Sequence, residues 1–292
     1  MKKSYRRFFI LVILFIFLIL YILKANTFKD CFIQYTELFF EHLFPASFPF
    51  FIISSLLIDY GLVEIISFIF PNSAAIYTFF LSMISGFPSG AKISKELYVK
   101  KKISKEMVSE ILLFSHFPNP LFLLGSVSNI LGDYSLAVKL LISILFSNSI
   151  LFLLANKKKE EFSYSEERFS SFSMSLKLAI IEGAKTMLLI YGTSLFFYLI
   201  CTCITQYIVL PPLLYVFLCG IFDLTQGVFS TTILTNPIIR AYFILFFMSF
   251  GSLSIHLQVK GILEDNSNYY AFLKGRIWGT ILSFSIFMIL VF

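Results

Sequence analysis

An apolar run from Ala74 to Ile84 stops at Ser85-Gly86-Phe87-Pro88-Ser89-Gly90-Ala91-Lys92, and this interruption limits what the chain can fold into. The run is suited to lipid. Pro88 has no N–H and steers Phe87 away from helix. Gly86 and Gly90 reach backbone angles that other residues avoid. Lys92 sets a cation just past the break. In hydrocarbon, irregular backbone survives only inside protein or beside a watery cavity. A broken helix of this kind points to a transport site. The plainer alternative is a helix that ends at the membrane surface.

Composition supports the lipid setting. The 292 residues are 58% hydrophobic and 14% charged, with a mean hydropathy of +0.86. A soluble domain carries roughly 25% charged residues, so the sequence reads as an integral membrane protein. The net charge of +6 lies in short Lys/Arg-rich stretches and reports topology, with no nucleic-acid partner implied. Cys31, Cys201, Cys203 and Cys219 show no CxxC spacing and read as buried thiols; no metal or cofactor is expected.

The chain divides into an N-terminal helix (1–24), a first repeat (25–155), a charged linker (156–171) and a second repeat (172–292). Lys2, Lys3, Arg6 and Arg7 precede an apolar run from Phe8 to Leu23. That order predicts a retained first helix with its N-terminus in the cytoplasm. Ala25 to Leu43 predicts an amphipathic interfacial helix. Leu43 to Leu57, with Pro45 and Pro49, is short for a span and suits a re-entrant segment. Lys92 to Lys105 holds six lysines against Glu96, which predicts a cytoplasmic loop. Further breaks fall at Ser115-His116-Phe117-Pro118-Asn119-Pro120, at Asp223-Leu224-Thr225-Gln226-Gly227 and from Gly251 to Gln258. Leu136 to Ala155 and Arg276 to Phe292 read as plain spans. Pairing Gly90 with Gly227 gives an offset close to that between Ser126–Leu131 and Val259–Leu263, which suggests a duplicated unit. The lysines of 91–105 have only Arg240 as counterpart in 228–242, so the units are expected to be inverted.

These blocks resemble the YlbJ (SpoVV) family of sporulation integral membrane proteins, within the group carrying the nucleoside recognition or Gate domain. The resemblance rests on Leu43-Phe44-Pro45 to Ile53, Gly86-Phe87-Pro88-Ser89-Gly90-Ala91-Lys92, Asn119-Pro120-Leu121-Phe122, Asp223 to Gly227 and Ser252 to Val259. Asp223 stands where the family usually has Glu, and His116-Phe117-Pro118 replaces small polar residues. The resemblance implies an all-α fold like the concentrative nucleoside transporters: two inverted repeats, re-entrant hairpins and broken helices. It also implies movement of dipicolinic acid from the mother cell toward the forespore, in the outer forespore membrane.

The candidate substrate-binding residues are Gly86, Pro88, Ser89, Gly90, Lys92, Ser115, Asn119, Asp223, Thr225, Gln226, Gly227, Ser252, Ser254 and Gln258. Lys92 can neutralise a substrate carboxylate, or it is the first of the positive-inside lysines. Gly86, Ser89 and Gly90 can present N–H groups to an anion, or pack helices closely. Ser115 and Asn119 can bind solute or cap helix ends. His116 can move protons, or it is a loop histidine near the surface. An acid in a membrane segment is usually functional, so Asp223 can hold a coupling proton or cation, with Thr225 and Gln226 as polar partners; otherwise it caps a turn. Lys92 and Asp223 are expected to flank one cavity. Glu182 and Lys185 share a helix face and should neutralise each other. No nucleophile–base pair is spaced for catalysis, so an enzyme is not expected. The partners expected are a small anionic solute and the lipid bilayer, with self-association into a homo-oligomer open. The alternatives are a carrier of nucleoside-like or other solutes and a non-transporting sporulation scaffold.

Overall fold

Apolar runs punctuated by proline, glycine and short polar residues fold entirely as helix among the described residues. The computed structural model describes residues 2–70, 72–155, 171–264 and 269–292. The order begins α1 (Lys2–Leu23), α2 (Ala25–Leu38), a π turn (Phe39–Leu43), α3 (Phe44–Asp59) and α4 (Leu62–Ser67). It continues α5 (Ser73–Ser85), α6 (Ser89–Val99), α7 (Lys105–Phe114) and α8 (Pro120–Phe122). A second π turn (Leu123–Val127) leads to α9 (Ser128–Leu131) and α10 (Tyr134–Ala155). The other half holds α11 (Phe172–Tyr207), α12 (Pro212–Phe222), α13 (Leu224–Ser230), α14 (Pro237–Phe250), α15 (Leu253–Leu263) and α16 (Tyr269–Val291).

Five helical stretches are long and apolar enough to cross a membrane: Ala25–Asp59, Tyr134–Ala155, Phe172–Tyr207, Pro237–Leu263 and Tyr269–Val291. The chain is a multi-pass membrane protein. The 36 residues of α11 extend about 54 Å at 1.5 Å each, well beyond roughly 30 Å of hydrocarbon.

Polar caps decide where several helices start. Ser104 Oγ accepts from Met107 N at 3.1 Å and opens α7. Asn119 and Asn236 each stand before a proline and cap α8 and α14, accepting from Leu121 N and Ile238 N at 2.8 Å. Proline suits that first position because its missing N–H would have had no partner. Small residues then let helices close up. Ser147 Oγ of α10 donates to Gly279 O of α16 at 2.8 Å, and a Cβ at Gly275 would collide with the Leu113 backbone of α7. Ile111, Ala137, Leu140, Ile144, Ile244 and Phe287 fill the main core. Tyr35, Phe39, Phe51, Met187 and Ile190 form a second core between α2–α3 and α11.

The structure corrects the chain reading in two places. Residues 25–59 form one long helical stretch instead of an interfacial helix followed by a separate re-entrant segment. Pro45 falls in the first turn of α3, directly after the π turn, while Pro49 sits inside that helix. Such a turn absorbs the lost hydrogen bonds without stopping the helix. Lys92 and Lys95 belong to α6, so the lysine loop shrinks to the residues around Lys100–Lys102. Gly90 and Gly227, paired by offset in the sequence, both lie within helices, and the positive φ of Gly86 (+81°) recurs at Gly251 (+87°). The linker expected at 156–171 lies outside the described residues, apart from Ser171.

Candidate functional site

The interruptions meet in pairs. Phe87 N donates to Phe117 O at 2.7 Å, and Asn119 Nδ2 donates to Ser85 O at 3.2 Å. A Cβ at Gly86 would strike the Asn119 backbone, and one at Gly90 would strike Ser115. These glycines therefore let the α5–α6 break cross the α7–α8 break at backbone distance. Ser89, fully buried, accepts from Ser85 Oγ at 2.5 Å and donates to Gly86 O, closing the turn at Pro88. In the other half, Asp223 interrupts α12–α13 with extended backbone. Its Oδ1 accepts from Thr225 N at 3.0 Å and from Gln226 N at 3.1 Å. Its Oδ2 accepts from Ser254 Oγ at 2.9 Å, and Ser254 shares a 2.8 Å bond with Ser252. The α14–α15 break at Gly251 and Ser252 is thereby tied to Asp223. Gly227 packs against Gly220, whose own Cβ position is taken by the Phe247 ring.

All four breaks contribute to one cavity of about 360 Å³. Ser85 and Phe87, Asn119, Asp223 and Thr225, and Ser254 line it, together with Gln258 and Ser194. The N-termini of α8, α13 and α15 all reach it through their first residues. Each helix start carries roughly half a positive charge. Asp223 is 1% exposed, and Glu41 and His42 also line this cavity, while no Lys or Arg among the described residues does.

Lys92 is elsewhere. It lines a second cavity of about 470 Å³, where its ammonium lies 3.3 Å from Glu96 and 5.4 Å from the Phe51 ring centre. Lys100 also meets Glu96 at 2.9 Å and pairs with Asp59. Lys92 and Asp223 thus line separate cavities. Gln226 carries a buried Oε1 with no hydrogen-bond partner among the described residues. His116 is 2% exposed and stacks on Phe87 at 4.7 Å, so it is no surface-loop histidine. His256 bonds Tyr269 Oη at 2.5 Å and Phe250 O at 3.1 Å and lines neither cavity. Glu182 and Lys185 do pair, at 2.7 Å on an exposed face. The four cysteines are free and buried.

Two polar residues inside the plain spans were missed. Arg276 of α16 is fully buried, and no carboxylate lies within ion-pair distance of it among the described residues. Its guanidinium donates to Leu113 O and Ser249 O at 3.2 Å, His116 O at 3.5 Å and Asn148 Oδ1 at 3.4 Å. Leu113 and Ser249 lie in the last turns of α7 and α14, where the helix dipole is negative. Arg276 therefore holds the ends of one broken helix from each half. An arginine and an asparagine within apolar runs were the available signal. The cavity mouth at Glu41–Ser47 was also missed, because that stretch read as interfacial helix and re-entrant arm.

The chain is similar to the sporulation integral membrane protein YlbJ of Bacillus subtilis (strain 168), 32% identical over 101 residues. The matched stretch covers 32% of this chain and 25% of that protein. No family model matches the chain. No solved structure matches it either.

Proposed function

We propose that the chain is a secondary transporter of a small solute, acting at the cavity where its four helix breaks meet. That convergence is the observation that carries the proposal. Paired broken helices around a cavity that holds a few polar groups are how a membrane protein offers backbone dipoles to a solute. Two inverted repeats, 25–155 and 172–292, would supply one crossed pair each. No residue is assigned a catalytic role. The likeness to YlbJ supports a sporulation role in a membrane; the outer forespore membrane as location and dipicolinic acid as the first solute to test are what the family resemblance of the sequence implies.

The charges of the cavity decide how a dianion could bind. Three helix N-termini favour it, and Asp223 and Glu41 oppose it. A dicarboxylate therefore binds with Asp223 protonated or paired with a cation, and that requirement couples transport to an ion gradient. The lack of a lining Lys or Arg favours a second reading, a neutral solute such as a nucleoside. Asp223→Asn separates charge from structure, because Asn caps a helix as well as Asp does. The variant is expected to keep or tighten solute binding and to lose dependence on a proton or sodium gradient. Equilibrium binding with gradient-driven flux checks it; unchanged gradient dependence would reduce Asp223 to a cap.

A further inference from the structure

We propose that the cavity beside Lys92 is the second vestibule of the path that begins at the Asp223 cavity, with one helical turn between them. This rests on the transporter reading above. Three helices, α3, α11 and α15, line both cavities, and α3 presents Ser47 to the first and Ser55 and Asp59 to the second. α11 presents Met187, Ile190 and Ser194 to the first and Thr186 and Leu189 to the second, on two faces of the same turns, so the one-turn separation is read along α15. α15 presents Ser254 and Gln258 to the first and Gly261 and Glu264 to the second. Gln258 and Gly261 are three residues apart, about 4.5 Å along the axis.

Phe51 of α3, buried with Met187 and Ile190 and with the Lys92 ammonium 5.4 Å from its ring centre, fills part of that interval. Gln258 Nε2 donates to Ser194 Oγ at 2.9 Å, a buried bond joining α15 to α11. One turn on, the Leu189 side chain lies against Gly261, 3.1 Å from where a Cβ would stand. The absence of a side chain at Gly261 is what seats the leucine. Beyond this septum, Lys95 of α6 and Glu264 at the end of α15 pair at 2.8 Å. The second cavity thus holds the ammonium groups that the first lacks. Lys92 and Lys95 each face one carboxylate, Glu96 and Glu264, for which a small carboxylate solute can exchange.

Single cysteines test this without any solute. Ser47→Cys lines the first cavity and Thr186→Cys the second, while the native cysteines are buried. In oriented membrane vesicles, a membrane-impermeant maleimide is expected to label Thr186→Cys only from the Lys100–Lys102 face and Ser47→Cys only from the opposite face. Adding Phe51→Ala, Leu189→Ala and Gln258→Ala should open the septum, so that each cysteine reacts from both faces, at least tenfold faster from the formerly closed one. Should the triple change fail to insert, Phe51→Ala with Leu189→Ala carries the same comparison. Labelling of both cysteines from one face would overturn the proposal. So would unchanged one-sided labelling in an inserted septum variant. A protein that labels as expected but moves no solute would overturn the transporter reading instead.

Discussion

Arg276→Met is expected to destabilise the protein by about 3 kcal/mol, a fall in melting temperature of roughly 6–12 °C. The side chain is fully buried and donates to carbonyls on α7 and α14 and to Asn148. Hydrogen bonds to a charged donor contribute about 1.5–3 kcal/mol each. Relief from burying a bare cation offsets part of that loss. His116 O keeps its bond from Asn148 Nδ2 at 3.0 Å, so Leu113 O and Ser249 O bear most of the cost. Arg276→Lys keeps the charge but not the planar fork, and should restore less than half of the stability. Thermal unfolding in detergent measures both variants. Because Arg276 lines neither cavity, solute affinity should hold while turnover falls. An unchanged melting temperature in Arg276→Met would show that these carbonyl contacts add nothing.

Gly90 and Gly192 should respond in opposite directions to the same change. Both are helical, with no positive φ. At Gly192 a Cβ meets nothing within 4 Å. Gly192→Ala should therefore raise stability by up to about 1 kcal/mol, through helix propensity alone. At Gly90 a Cβ would overlap both the backbone and the side chain of Ser115. Gly90→Ala should cost about 1–3 kcal/mol or more, since the backbone must move. Gly90→Leu should also abolish flux, by driving apart the crossing that holds Asn119 at the cavity. Melting curves and flux on the inserted proteins give both readings. Normal flux through Gly90→Leu would favour a scaffold over a carrier.

The breaks were legible because glycine, proline and a buried acid inside apolar runs have few physical explanations. Gly86, Ser115, Asn119, Asp223 and Ser254 could all be singled out on that ground, and the fold brings their breaks together. The partner of each break was not legible. Gly86 and Gly90 look alike in sequence, yet one supplies positive φ and the other close approach. Lys92 read as the start of a loop because charge counting cannot see that α6 continues to Val99 and buries it against Glu96. Arg276 and Asn148 were lost inside hydropathic averages, although a polar side chain in a span has to find a partner. Pro45 and Pro49 misled for the reverse reason: a π turn absorbs what a regular helix cannot.

Gradient-driven uptake into proteoliposomes carrying the intact chain tests the central claim most directly. With a proton or sodium gradient imposed, pyridine-2,6-dicarboxylate is expected to accumulate saturably above its external concentration. Accumulation should vanish in Gly90→Leu, while Asp223→Asn should equilibrate the solute without concentrating it. Preferential accumulation of uridine would select the neutral-solute reading. Inserted protein that moves neither compound faster than empty liposomes would contradict the account.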